Sequence, residues 1–352
     1  MKTALTDLLG CRYPVVQTAM GWVADANLVI ATGRAGGFGF IAGAVMTPRE
    51  IEEQIKAVKA ATDAPFGVNF HMFVPDAADI VALCIKYQVA AVSYSRSPVP
   101  ALVAQLKAAG IVCMPTIGAA KHAAKAVAMG ADALVVQGGE GGGHTGGVAS
   151  TVLLPEVVKS VDVPVVAAGG FKDGDGLVAA LAFGASGIAM GTRFLLTQES
   201  PVPMATKQCY ISATPEQMVV RTVLDGIPQR MLYNRYLRSL ESSSSLGMLL
   251  RAIKNGLAFS RMTQSSLLGM MRSAWQMSRS GDVTFAQTMM AANAPMMIQQ
   301  AIVSGRPDQG VLPGGQIAGT IDDIPPVESL IEEIMATAMD RLAQLETLKK
   351  AP

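Results

Sequence analysis

The chain has 352 residues, half of them apolar and only 16% charged, with a formal net charge of +1. That length supplies one large core or a core plus a smaller domain, and the near-neutral balance does not point to nucleic acid or an anionic membrane as the partner. No uninterrupted apolar run is long enough to span a bilayer. The opening MKTALTDLLGCRYP lacks the apolar segment and cleavage site of a secretory signal, and Cys11, Cys84, Cys113 and Cys209 are scattered without metal-like spacing. Reduced thiols in the cytoplasm are the expectation.

In chain order, strand-length apolar runs alternate with helix-length amphipathic ones. YPVVQTAM reads as a strand and NLVIATGRAG as a helix closed by Gly36. GFGFIAG is the second strand, followed by the helix TPREIEEQIKAVKAAT, with Thr47 as N-cap, Pro48 in the first turn and acids behind it. FGVNFHM, AAVSYS, IVCMPTIG and ALVVQGG supply strands three to six, with AADIVALCIKYQ, PALVAQLKAAG, AAKHAAKAVAMG and LLPEVVKSV as the helices after them. VPVVAAGG, the helix GDGLVAALAFGA and the strand GIAMGTRFL complete the count. Eight evenly spaced strand–helix units predict an α/β fold of the (β/α)8 barrel type rather than a doubly wound open sheet. Beyond residue 215 the pattern changes. Residues 227–305 offer no strand and are rich in Met, Ser and Arg, so the barrel is assigned to 1–215 and 306–352 and a helical insertion to 216–305. The Met-rich stretch is either plain adaptable core or a substrate lid.

A barrel binds its ligands at the C-terminal ends of its strands. Those ends carry Gln17 to Gly21, Gly43, Asn69, His71, Thr116, Gly118, the loop Gln137 to His144, Gly169 with Gly170, and Gly191 with Thr192. Most of these are small or neutral, which suits a large ligand bringing its own reactivity. The glycines after strands seven and eight expose backbone N–H groups where barrels commonly hold phosphate, and Thr192 adds a hydroxyl. GFGFIA imitates a dinucleotide fingerprint but joins helix to strand, the wrong order for one. No phosphate-binding GxxxxGK[ST] loop and no GxSxG elbow occur. Of the three histidines, His122 belongs to a helix surface, and His71 faces the site or packs beside it. His144 stands in a glycine loop at a strand end with Glu140 close in sequence. An imidazole titrates near neutrality and can remove or return a proton, so His144 is the candidate catalytic residue.

PVVQTAMGWV, FGVN, QGGEGGGHTGG, AAGGFKDGDGLVAALAFGASGIAMGTRFL and GQIAGTIDD together resemble the nitronate monooxygenase family, over nearly the whole chain. The resemblance implies FMN at the top of a TIM barrel, covered by a helical second domain. It implies Ala19, Met20 and Asn69 beside the isoalloxazine, and Gly169, Gly170, Gly191 and Thr192 at the phosphate. Thr116, Gln137 and Gly142 complete the implied cofactor-binding set, and His144 matches the histidine at the flavin's reactive face. Some members carry Lys and Asp in place of Thr116 and Gln137, which alters the charge beside the flavin. The family's defining reaction oxidises alkyl nitronates with O2 to a carbonyl compound and nitrite. The likeness is closer still to a branch acting on coenzyme A thioesters in steroid ring degradation, where a flavin exchanges hydride with an α,β-unsaturated thioester. Arg230, Arg235, Arg238, Arg251, Lys254, Arg261, Arg272 and Arg279 would suit the carrier's phosphates, or simply form solvated helix faces. A catalytically idle flavin-binding barrel, use of NAD(P)H, and a homodimer stay open.

Overall fold

The computed structural model describes residues 1–95, 98–242 and 285–348. The strands, in chain order, are β1 (Val15–Gln17), β2 (Phe38–Ala42), β3 (Phe66–Asn69), β4 (Ala91–Ser95), β5 (Val112–Ile117), β6 (Leu134–Gln137), β7 (Gly143–His144), β8 (Val165–Ala168), β9 (Gly187–Met190), β10 (Met218–Arg221) and β11 (Gln229–Leu232). All but β7, β10 and β11 are parallel and close into an eight-stranded barrel in the order β1-β2-β3-β4-β5-β6-β8-β9, the final pair being β9 with β1. This is the expected TIM barrel.

The chain divides into two compact units. Met1–Gly141, Thr145–Pro201 and Ile321–Pro352 form the first, and Gly142–His144 with Val202–Thr320 the second. The boundaries anticipated at 216 and 305 both fall inside the second unit.

In the first unit the strands are buried on both faces, which is why they read as predominantly apolar stretches. Val16, Phe38, Phe40, Ala91, Met114, Val135, Val166 and Ala189 fill the barrel interior. Gly67 makes room for one of them: a Cβ there would stand 2.3 Å from the Phe40 ring. Leu5 and Leu9, on the short helix Ala4–Leu9, join the same cluster. Thr3 ties that helix to the carbonyl of Ser186, just before β9, so it closes the N-terminal end of the barrel. Outside the strands, Ile51, Ile55 and Val58 of helix Pro48–Ala61 and Ile80, Val81 and Cys84 of helix Ala77–Lys86 pack on the outward side chains of β2, β3 and β4. The helix at 48 starts where the sequence puts it. Thr47 accepts from Glu50 N, the Glu50 carboxylate accepts from Thr47 N, and Pro48 occupies the first turn. The chain returns at its end through helix Val327–Leu348. The Glu199 carboxylate accepts from Val327 N at its start, and Gly174 lets helix Gly174–Ala182 approach so closely that a Cβ would lie 2.4 Å from Ile334 O.

The second unit departs from the helical expectation. β10 and β11 form an antiparallel hairpin, and β7 pairs with β11 to make a three-stranded sheet. β11 therefore lies inside the stretch 227–305, where the sequence pattern predicts no strand. Its first two residues are Gln229 and Arg230, so the four-residue strand carries too little apolar signal to register. The connection from β10 to β11 runs through residues 222–228, where Gly226 has φ +80. Leu224, Met231, Leu237, Leu240, Met297 and Val311 form this unit's core. The helices described here include Met204–Ile211, Arg235–Glu241 and Phe285–Ile302.

Candidate functional site

Parallel pairing places the expected residues at one end of the barrel. Gln17 is in register with Met190, Asn69 with Ser93, Ser95 with Thr116, and Gln137 with Ala168. Ala19, Met20, Asn69, Thr116, Gln137, Gly169 and Gly191 are all half-buried there, forming a rim of neutral groups above the apolar interior. The Asn69 amide donates to Ser93 O at 3.1 Å, which fixes the orientation of its head group. β1 and β9 end side by side: a Cβ on Gly191 would fall 3.2 Å from Thr18 Oγ1 and 3.5 Å from Met20 Sδ. Thr192 is buried immediately after it. Trp22, in the loop after β1, has φ +62. A left-handed conformation costs a non-glycine residue about 1–3 kcal/mol and persists where the surroundings over-determine it. No residue-type signal in the sequence marks that position as strained.

The glycine loop is a tightly wound turn rather than a linker. Gly141 N donates to Gly138 O at 3.0 Å and Gly139 N to Val148 O at 2.6 Å. Gly169 and Gly170, at the end of β8, have φ +89 and +83, a region that side chains rarely enter. A Cβ on Gly169 would stand 3.0 Å from Gly138 O and 3.1 Å from Gly141 N. The two glycine segments therefore lie against one another as bare backbone. Such a surface of bare backbone, with neutral amides and hydroxyls on the rim, has the chemistry to hold a phosphate-bearing cofactor.

Glu140, placed beside His144 by sequence proximity, is employed otherwise. Its carboxylate accepts from Ser150 N at 3.1 Å to each oxygen, and lies 2.9 Å from Ser150 Oγ, at the start of helix Ser150–Val158. The expectation of an acid near His144 is met by a different residue. His144 Nε2 lies 2.7 Å from Asp225 Oδ2, within the second unit. Asp225 also accepts from Ile227 N at 3.0 Å and from the Gln229 amide at 2.8 Å. Burial works to raise the Asp225 pKa, but the His144, Ile227 and Gln229 hydrogen bonds outweigh it and hold the carboxyl below its ordinary value. Asp225 lies 81 positions from His144, so sequence reading had no spacing by which to join them.

The remaining residues fall as follows. Gly142 belongs with His144 to the second unit, where a Cβ would meet Gly314 C and Gly315 N at 2.5 Å, so close backbone packing accounts for its glycine. His71 is stacked on Phe73, ring centroids 5.0 Å apart. His122 is exposed in the short turn Ala120–His122. Of the basic set, Arg230 donates to Met218 O at 2.6 Å, and Arg235 and Arg238 are exposed on helix Arg235–Glu241. Arg251, Lys254, Arg261, Arg272 and Arg279 lie outside the described residues. The four cysteines are free thiols, and among the described residues no helix is long and apolar enough to cross a membrane.

A closed parallel barrel with bare glycine backbone at its strand ends is the architecture of the (β/α)8 barrel enzymes. Comparison with known proteins makes the class specific. The nitronate monooxygenase family model matches residues 2–83 and 78–337. A dehydrogenase of Rhodococcus jostii, named for (3aS,4S,5R,7aS)-5-hydroxy-7a-methyl-1-oxo-octahydro-1H-indene-4-carboxyl-CoA, is 48% identical over 349 residues, covering 99% of each chain. A probable nitronate monooxygenase of Staphylococcus saprophyticus is 28% identical over 287 residues, 68% of this chain and 81% of that protein. Among solved structures, FabK from Thermotoga maritima superposes with a TM-score of 0.79 at 30% identity, covering 99% of both chains. The chain belongs to the nitronate monooxygenase family and is a flavin-dependent oxidoreductase.

Proposed function

We propose that the chain is an FMN-dependent dehydrogenase of a cyclic carboxyl-CoA thioester, exchanging hydrogen across the carbon–carbon bond next to the thioester carbonyl. One observation carries the choice of substrate class: whole-length identity of 48% to the carboxyl-CoA dehydrogenase, against 28% over 68% of the chain for the probable nitronate monooxygenase. Nitronate oxidation is the second reading, supported by the family model.

In this reading, backbone at Gly169, Gly170 and Gly191, with the Thr192 hydroxyl, holds the FMN phosphate. Ala19, Met20, Asn69, Thr116 and Gln137 border the rest of the cofactor. Bound FMN supplies a two-electron, hydride-accepting centre. The protein's own task is the other hydrogen. A proton on the carbon next to a thioester is acidified because the carbonyl delocalises the charge left behind, and a positioned base is needed to take it. His144 is the base, and Asp225 stabilises the imidazolium that forms. A neutral rim avoids competing charge beside the ring.

The test is anaerobic mixing of the oxidised holoenzyme with a saturated cyclic carboxyl-CoA thioester, then with propionate 3-nitronate, while the flavin spectrum is followed. Bleaching by the thioester, lost in His144→Ala while the yellow colour stays, supports the proposal. Bleaching by the nitronate alone, with oxygen-linked nitrite release, transfers the function to nitronate oxidation. A flavin left oxidised by both points to a non-catalytic flavin-binding barrel, and a protein that takes up no FMN defeats every one of these readings.

A further inference from the structure

We infer that Asp225 is a positioning residue that holds the His144 imidazole in its Nε2–H tautomer, so that Nδ1 is the proton-accepting atom. The inference rests on the catalytic role proposed for His144 and adds to it the atom and the residue that selects it.

Three hydrogen bonds converge on the Asp225 carboxylate. Oδ1 accepts from Ile227 N at 3.0 Å, and Oδ2 accepts from Gln229 Nε2 at 2.8 Å while facing His144 Nε2 at 2.7 Å. Gln229 is 5% exposed and stands directly opposite His144 in the β11–β7 register, so the sheet fixes both donors at once. A carboxylate held this way is an acceptor only. The hydrogen shared with His144 therefore belongs to the imidazole, on Nε2, and a neutral ring carrying its proton there has its basic lone pair on Nδ1. The distance falls in the range of a charge-assisted bond.

The competing explanation is that Asp225 only shapes the hairpin turn, through its bond to Ile227 N. Asp225→Asn separates the two. It keeps the side-chain oxygen for Ile227 N and the same volume, but its amide can donate toward His144, which favours the Nδ1–H ring. The experiment uses the full-length FMN-loaded protein labelled with 15N-histidine, with His71 and His122 assigned by single substitution. Wild type should show His144 as Nε2–H when neutral. Asp225→Asn should convert it to Nδ1–H or a mixture, with flavin content unchanged. With the CoA thioester, kcat should fall by at least about 10-fold and up to about 10⁴-fold, the cost when a catalytic histidine is left in the wrong tautomer, while KM stays within about threefold. A wild-type ring already in the Nδ1–H form, or one that stays Nε2–H in Asp225→Asn, overturns the inference, and the wild-type measurement holds even if the variant fails to fold. A converted tautomer with undiminished turnover leaves Asp225's control of the ring standing and removes His144 from the reaction, so the two ideas fail separately.

Discussion

The Glu140 carboxylate sits astride Ser150, with both oxygens 3.1 Å from its backbone N–H and one 2.9 Å from its hydroxyl. It therefore does for helix Ser150–Val158 what an N-cap side chain usually does, a role that Ala149 in the cap position cannot fill. Glu140 also lies under Gly170, whose Cβ would be 3.4 Å from the Glu140 Cβ. Glu140→Ala should lower the unfolding free energy by about 1–2 kcal/mol, the usual cost of a lost cap or charge-assisted bond. The 15N signals of His144 should not move. Urea unfolding together with the histidine spectrum checks both halves, and a shifted His144 signal would restore Glu140 to the catalytic histidine.

Gly169 combines a positive φ with close backbone from the glycine loop. Its φ of +89 is strained for alanine, and the new Cβ would meet Gly138 O at 3.0 Å and Gly141 N at 3.1 Å. Backbone on both sides leaves no flexible side chain to yield. Gly169→Ala should cost about 1–3 kcal/mol from backbone strain, and the loop must part from the end of β8 to admit it. The protein should purify with markedly less bound flavin than wild type, read from the ratio of visible to ultraviolet absorbance. A variant as yellow as wild type would remove Gly169 from the cofactor cradle.

The barrel was legible because its signals are local. Thr47 with Pro48 and Glu50 announces a helix within four residues, and the buried strands are short, predominantly apolar stretches. The strand-end glycines were legible for the same reason, since their position in a strand–loop–helix unit needs no knowledge of distant residues. The partner of His144 was not. The proximity of Glu140 in sequence suggested an acid that in fact caps a helix, whereas Asp225 reaches His144 through a sheet pairing between β7 and β11. A two-residue strand such as Gly143–His144 has no periodicity to detect, and without it nothing links residue 144 to residue 225. Trp22 was hidden differently: left-handed backbone at a tryptophan is imposed by its surroundings, not by residue preference.

On the outer face of the barrel, Glu52 joins helix Pro48–Ala61 to helix Ala77–Lys86. Its carboxylate accepts from Tyr87 Oη at 2.5 Å and from Lys86 Nζ at 2.9 Å, with Lys56 Nζ 3.3 Å away. The Tyr87 hydroxyl first, then Lys86 and Lys56, bring the Glu52 pKa down to about 2. A folded-state pKa below the unfolded one contributes stability that is complete above the unfolded value and fades as pH falls through the folded one. Wild type should therefore lose stability between about pH 4.5 and about pH 2 through this group, and Glu52→Gln should lose less over that interval. Urea midpoints at a series of acidic pH values compare the two slopes. Parallel slopes would show that solvent screening cancels the cluster's contribution.

Gly142 offers the complementary test, because its crowding lies in the second unit. An added Cβ would stand 2.5 Å from Gly314 C and Gly315 N, well inside contact distance and against backbone rather than side chain. The next two residues form β7, whose pairing with β11 sets His144 opposite Gln229. Alanine at 142 must therefore push β7 away from the segment 314–315, and the His144–Asp225 bond of 2.7 Å is the first contact to suffer. Turnover should fall at least about tenfold, since small misplacements of a proton-transfer group carry costs of that order or more. Flavin content should fall far less than in Gly169→Ala, because the glycine contacts at Gly138, Gly141 and Gly169 belong to the first unit. Measured side by side, the pair separates loss of the cofactor from loss of the base. Equal flavin loss in both variants would mean that Gly142 acts at the cofactor itself, and an active Gly142→Ala would mean that β7 does not need its close approach to Gly314 to align His144.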